Sequence, residues 1–451
     1  MEARDAPYDA HVPEQQSTRA NGAIRNSLVI GISIAVWSIG AFAFYLIAGR
    51  ALGPETYGLA AALQGVIVIV ATPVIALQWS IARITASNTG ERRGAAMAVY
   101  RRAIIVGTAS AFALACLASI VTVAISASYE GIPTVPLMLT YFSIVVMVPL
   151  LLALGTLQGE ERYGTFAWSY AATGVLRAPL LLLLFLLPIG QVNATVLAVG
   201  VAFGIGAIWA IGATRRDLTA VGNHDQAVWR SFTRALPATG AGLAGIAMLT
   251  NVDVIAAKLA LGGTEAGLFG AASVIAKALM VVPAALTIVL LPRVAARESA
   301  GERTGSLLAA GILVMAATGI LAMVLVYPLE TTVIDIAFGS QYEAAAPLLI
   351  PFIGATTLLG ALFILVNHHV ARSDHRFVWA VGGLAVLQLV LLVFFSTSAE
   401  AIILIDAVVA GIGLVIHEMM YFRTDESMLR GAGAQFAAMF RRVTRRNQGV
   451  A

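Results

Sequence analysis

Arg50-Ala51-Leu52-Gly53-Pro54-Glu55-Thr56-Tyr57-Gly58-Leu59 is a short polar corner between two long apolar runs. It returns 209 residues later as Leu261-Gly262-Gly263-Thr264-Glu265-Ala266-Gly267-Leu268. Gly53 permits a tight turn, Pro54 suits the first position of a helix, and Glu55 favours the positive end of that helix. Thr264-Glu265 repeats the device as cap plus acid. Pro73 and Arg83 recur at a spacing of 210 as Pro283 and Arg293. The chain therefore reads as one unit used twice, residues 26–213 and 235–422, joined by an Arg-rich linker at 214–234.

The flanks of these corners set the fold class. Apolar residues make up 59% of the 451 residues and charged ones only 12%, whereas a soluble domain has roughly 25% charged residues. The mean hydropathy is +0.88. Twelve apolar runs can be drawn: 26–49, 57–82, 103–126, 135–157, 165–187, 193–213, 235–260, 266–291, 306–327, 344–367, 377–397 and 400–422. Each is long enough to cross a bilayer, which takes about 20 residues. Turn chemistry separates them at Gly131 to Pro133, Pro188 to Gly190 and Gly262-Gly263. The expected fold is all-α and polytopic, about twelve membrane helices in two six-helix lobes.

Orientation follows from the basic residues. With the N-terminus in the cytosol, all but four of them (Arg50, Arg177, Lys258 and Lys277) fall in cytosolic segments. The outer connections hold mainly acids, among them Glu130, Glu330, Asp335, Glu343 and Glu400. Both termini are expected in the cytosol, and the two repeats are parallel, related by an axis along the membrane normal. Residues 1–25 read as a flexible tail without the apolar stretch of a cleavable signal, and 423–451 as a basic tail. The net charge of +4 then reflects topology and anionic lipid, not nucleic acid. Of 28 basic residues only Lys258 and Lys277 are lysine, and with abundant Ala, Gly and Val this points to a GC-rich bacterial genome. The expected location is a bacterial cytoplasmic membrane.

Charges at bilayer depth are costly and mark sites. Four stand out: Arg177, Asp253, Lys277 and Asp406. Lys277 lies about 16 Å below the outer end of its run and Asp253 about 12 Å below the end of the preceding one, so antiparallel neighbours bring them to similar depth. They form either a buried structural ion pair or a pair that opens when an anionic cargo draws Lys277 away. Arg177 precedes Pro179, where a kink frees backbone carbonyls; it serves those carbonyls or a second anion contact. Lys258 and Arg50 sit at outer helix ends, and Asp406, six residues into its run, is placed near the outer interface. His368, His369 and His375 read as interfacial polar residues, with no zinc spacing. His417-Glu418 lacks the second His of a metalloprotease helix, and there is no nucleotide-binding P-loop. No cofactor, metal or catalytic group is expected, and lone Cys116 suggests no thiol site.

The corner at residues 50–58 resembles the first outer loop of polysaccharide-exporting members of the multidrug/oligosaccharidyl-lipid/polysaccharide (MOP) superfamily, which are related to the MATE transporters. Further matches follow in order: Leu157-Gln158-Gly159, Asn251 and Asp253, the corner at 261–269 closing at Pro292-Arg293, and Phe338-Gly339 with Tyr342. Gly53, Pro54, Glu55, Tyr57 and Gly58 are read as turn and cap chemistry within this motif. The resemblance spans residues 25–400 and implies a Wzx-type flippase for polyprenyl-diphosphate-linked oligosaccharides, with polymerase or export proteins as further partners. Lipid II flippases of the superfamily carry basic residues inside the first two helices; runs 26–49 and 57–82 have none between their ends. Two rivals stay open: an ion-coupled drug/cation antiporter, and a membrane-embedded polysaccharide polymerase or ligase.

Overall fold

The computed structural model describes residues 12–127, 133–219, 225–287, 305–371, 374–424, 427–431 and 433. Among them there is no strand. The helices are α1 (Val12–Ser87), α2 (Arg93–Ser126), α3 (Thr134–Gly159), α4 (Tyr163–Val175), α5 (Arg177–Leu184), α6 (Gln191–Thr219), α7 (Gln226–Ala260) and α8 (Gly263–Lys277). They continue with α9 (Gly305–Val326), α10 (Glu330–Phe338), α11 (Leu349–Ala371), α12 (His375–Phe395) and α13 (Ala399–Tyr421). The helical backbone already runs from Val12, so residues 12–25 differ from the expected flexible tail. Pro292-Arg293, Arg297, Arg303, Arg372 and the basic pairs after residue 440 lie outside the described residues.

α1 is two arms meeting at Gly53, whose φ of 70° and ψ of 165° belong to a region that only glycine occupies readily. The arms fold back on each other. Trp37 on the first arm touches Gly174 of α4, and Gln78 on the second donates to Gln158 of α3 at 3.1 Å. A straight helix would hold Trp37 and Gln78 about 60 Å apart, whereas Gln158 and Gly174, joined by one short connection and α4, are at most about 35 Å apart. Among the described residues eleven segments are long and apolar enough to cross a membrane, and the first, Leu28–Ser87, has 60 residues. Counted as two crossings, it restores the twelve read from the sequence. Leu28, Ile39, Ile208, Phe394 and Leu404 are exposed, forming the apolar belt that faces lipid.

The repeated corners meet. A Cβ on Gly58 would stand 2.8 Å from the Ala266 methyl, and one on Gly267 would collide with the Pro54 carbonyl oxygen. Equivalent positions of the two repeats therefore touch each other, as a two-fold relation between the halves requires. Further along the second arm of α1, Gly65 packs on Val254 of α7. The corners are not identical in detail: Gly262, not Thr264, precedes the first turn of α8 and offers no side-chain cap. Glu265 does lie in that first turn.

The connection 328–343, read from sequence as an outer loop, is helical. Tyr327–Leu329 is a 3-10 turn, α10 follows, and a second 3-10 segment, Ser340–Leu348, leads into α11. Ile334, Phe338 and Tyr342 are fully buried along it, so its short amphipathic period escaped a search for membrane-length runs.

Candidate functional site

α7 climbs to the second corner and α8 descends from it. Cα–Cβ bonds tilt toward a helix N-terminus, so side chains on these antiparallel neighbours lean toward each other. That lean closes a difference in depth of about 10 Å between Asp253 and Lys277. Lys277 Nζ donates to both carboxylate oxygens of Asp253, at 2.8 and 2.7 Å. The acid is wholly buried while the lysine side chain keeps 18% of its surface, so the lysine presents the pair to its surroundings. The ammonium also sits 5.6 Å from the Phe352 ring centre, and Phe352 packs on Phe269.

Asp406 joins this cluster, which corrects its placement near an interface: it is 1% exposed. Its Oδ1 accepts from Gln388 Nε2 at 2.7 Å, and the same amide donates to the Leu249 carbonyl at 3.1 Å. Asp406 also interacts electrostatically with Asp253 and Lys277. Among the described residues the Gln388 Oε1 has no hydrogen-bond partner, and the Asp406 carboxyl faces that of Asp253. The lysine pairs with Asp253, and the second buried carboxylate stands beside that pair, the four side chains coming from α7, α8, α12 and α13.

Arg177 occupies the first half of the chain, just after the break at Leu176 between α4 and α5. Its Nε donates to the Thr173 carbonyl at 3.1 Å, satisfying a group released by the break. The guanidinium lies 5.2 Å from the Trp37 ring centre and 5.0 Å from that of Phe203. Among the described residues no carboxylate pairs with it. Arg177 and Lys277 are not brought into one cluster. Lys258, in the last turn of α7, has no ion-pair partner among the described residues. Arg50 instead binds the carbonyls that end α10: Nε donates to Ala337 at 3.1 Å and a terminal nitrogen to Ile336.

Two groups that the sequence read as peripheral are built structures. His369 and His417 are fully buried, which corrects the interfacial reading of the α11 histidines. Their Nε2 atoms lie 3.0 Å apart, beside Phe377 and Tyr421. Asp374 accepts from the Tyr421 hydroxyl at 2.5 Å and from the Arg376 backbone N–H at 3.0 Å. Partial burial pushes the Asp374 carboxyl up, but the Tyr421 and Arg376 hydrogen bonds and the charges of His369 and Arg376 hold it below the usual carboxylate range. At the same end of the first half, Arg93 bonds Glu160 at 2.5 Å and Asp217 at 2.6 Å, and Arg162 reaches Asp217 at 3.3 Å. These arginines were legible only as charge bias; their acids come from α6 and from the residue after α3.

No protein-family profile matches the sequence, and no curated protein does. Solved structures do. The chain is similar to the lipid II flippase MurJ in an inward-closed conformation (TM-score 0.67, 14% identity, 92% of each chain covered). The fold is that of the MOP transporters. It is also similar to the eukaryotic MATE transporter AtDTX14 (TM-score 0.61, 12% identity, 92% of this chain and 99% of that one). A MOP superfamily transporter from Pyrococcus furiosus, described as having a binding pocket of reversed polarity, matches with TM-score 0.60 and 14% identity over 88% of this chain and 95% of that one.

Proposed function

We propose that this chain is a flippase that moves a polyprenyl-diphosphate-linked oligosaccharide from the inner to the outer leaflet by alternating access between two lobes, residues 26–213 and 235–422. The single observation that supports it best is Lys277, a cation at mid-bilayer depth, held by a buried acid but itself partly accessible. The accessible face of the ammonium can receive a diphosphate while its remaining hydrogens stay on Asp253, so the buried acid is not left unpaired. Arg177, without an acid partner and flanked by aromatic faces, is a candidate second contact for phosphate or sugar. Lys258 lies on the same helix as Asp253, one to two turns nearer the corner. The reading places both termini in the cytosol of a bacterial cell, the protein in the cytoplasmic membrane, and its product with polymerase or export proteins.

A second reading, an ion-coupled cation antiporter, is favoured by Asp406, a second buried carboxylate with no cation bonded to it among the described residues, since an exporter of cations needs an acid beyond the one its lysine holds. Export of surface polysaccharide in cells carrying Asp253→Asn with Lys277→Gln separates the two. The double substitution leaves neither charge orphaned. The flippase reading expects export to fall by at least tenfold, on the order of one charge-assisted contact. Full export with lost cation efflux would move the site to the antiporter.

A further inference from the structure

The corner end of the bundle carries a set of contacts between the two halves that lies apart from the charged cluster. Arg50 terminates the first arm of α1, yet its guanidinium is spent on the second half of the chain. The Ile336 and Ala337 carbonyls it binds belong to the last turn of α10, where carbonyls have no partner within the helix and the dipole is negative. Gly339, at φ 94°, ends that helix and turns the chain back. Three residues on, the Tyr342 hydroxyl donates to the Gly49 carbonyl at 2.8 Å, and Gln341 Nε2 reaches the Arg50 carbonyl at 3.4 Å. Every one of these bonds joins residues 286 or more positions apart.

Beneath them lies an aromatic plug. Phe338 and Tyr342 pack on Tyr57 with ring centres 5.5 and 6.1 Å apart, and all three side chains are buried. Below the plug the Gly58 and Gly267 surfaces meet. Two features separate this seam from a permanent core. The Tyr57 hydroxyl is buried without a hydrogen-bond partner, a penalty that exposure to water would remove. The polar bonds lie at the rim: Arg50 is exposed, so water can replace its carbonyl partners as they part. The second corner does not repeat it, because the counterpart of Arg50 is Leu259, 82% exposed.

We infer that Arg50, Gln341 and Tyr342 form a latch that holds the corner end of the two halves shut over the Tyr57–Phe338–Tyr342 plug, and that this end opens by releasing it. The inference rests on the alternating-access reading above, but its test does not require the cargo. In a Cys116→Ser background, Ala61→Cys places a thiol at a buried position one turn below Tyr57, against Gly270. Its labelling by a membrane-impermeant maleimide added on the corner side of intact cells reports opening. Adding Arg50→Gln should raise the labelling rate on the order of tenfold, and Tyr342→Phe by a few-fold. Unchanged labelling in both variants, with thermal stability and elution like the parent, would overturn the latch.

A cross-link guards against variants that fail to fold. A Cβ on Gly263 would stand 3.9 Å from the Glu55 Cα, close enough for a disulfide between Glu55→Cys and Gly263→Cys. Oxidation should form it readily with Arg50 intact and more slowly with Arg50→Gln. The oxidised protein should lose export, and reductant should restore it. Full export by the oxidised protein would show that this end need not open, and the latch would fall. If labelling responds as expected but cells lacking the protein accumulate no lipid-linked glycan, the latch stands and the flippase reading falls.

Discussion

Arg177 and Lys277 are both cations at bilayer depth, and the two halves of the chain house them differently. Lys277 has an acid 2.7 Å away on the adjacent helix, a second acid within electrostatic range, and an accessible face. Arg177 has one backbone carbonyl and two ring faces. The difference follows from side-chain chemistry. A guanidinium is weakly hydrated, stacks on aromatic planes and stays charged, whereas a compact ammonium in the same surroundings needs a counter-ion. On the proposed reading the lysine cluster is the one that meets cargo first, while the arginine bonds a carbonyl at the α4–α5 break.

That contrast can be broken most severely at Asp253. Asp253→Asn strands the Lys277 ammonium and should destabilise the protein by about 3–5 kcal/mol in detergent unfolding, with much of the loss regained when Lys277→Gln is added. Additive losses in the cycle would mean that the pair is not a coupled unit. Gly267→Ala forces a methyl against the Pro54 carbonyl, and a loss of about 1–3 kcal/mol is expected where the repeats meet. The same change at Gly212, which has open space, should be nearly silent. Arg177→Lys keeps the charge but loses the planar fork, and should cost about 1–2 kcal/mol while the corresponding Lys277→Arg alters export more than stability.

The smallest effect concerns the arginine-rich end. Because the Asp374 carboxyl is held below its usual range, its contribution to stability is present above the ordinary carboxylate pKa of about 3.9 and is lost as pH falls through its lower, folded value. Tyr421→Phe removes one cause of that depression. Stability of the variant, followed by thermal unfolding between neutral pH and pH 3, should be lower than the parent's at neutral pH and should fall by less as the pH drops. Coincident profiles would remove Tyr421 from the account.

The helices were legible because lipid demands long apolar runs, and the corner because Gly53-Pro54 and Gly262 break them in register. Antiparallel neighbours suggested the pairing of Asp253 with Lys277, but the depth count was short: α8 begins at Gly263, so Lys277 lies about 10 Å deeper and its long side chain spans the gap. Depth alone failed for Asp406: it is near the end of its run, but the face it presents meets Gln388 on α12, and a helix end buried by neighbours is not an interface. α10 was missed because nine residues cannot span a bilayer and its burial comes from Gly49 and Tyr57, nearly 300 positions away. His369 and His417 were separated for the same reason: one lies just past the run 344–367 and the other within 400–422, and only packing of α11 on α13 makes the pair.

The central claim, that the cargo is a lipid-linked anion, is tested most directly by mass spectrometry of lipid extracts from cells depleted of this protein. The account predicts accumulation of a polyprenyl-diphosphate oligosaccharide of completed repeat length, reversed by re-expression. An unchanged lipid profile with surface polysaccharide intact would contradict it.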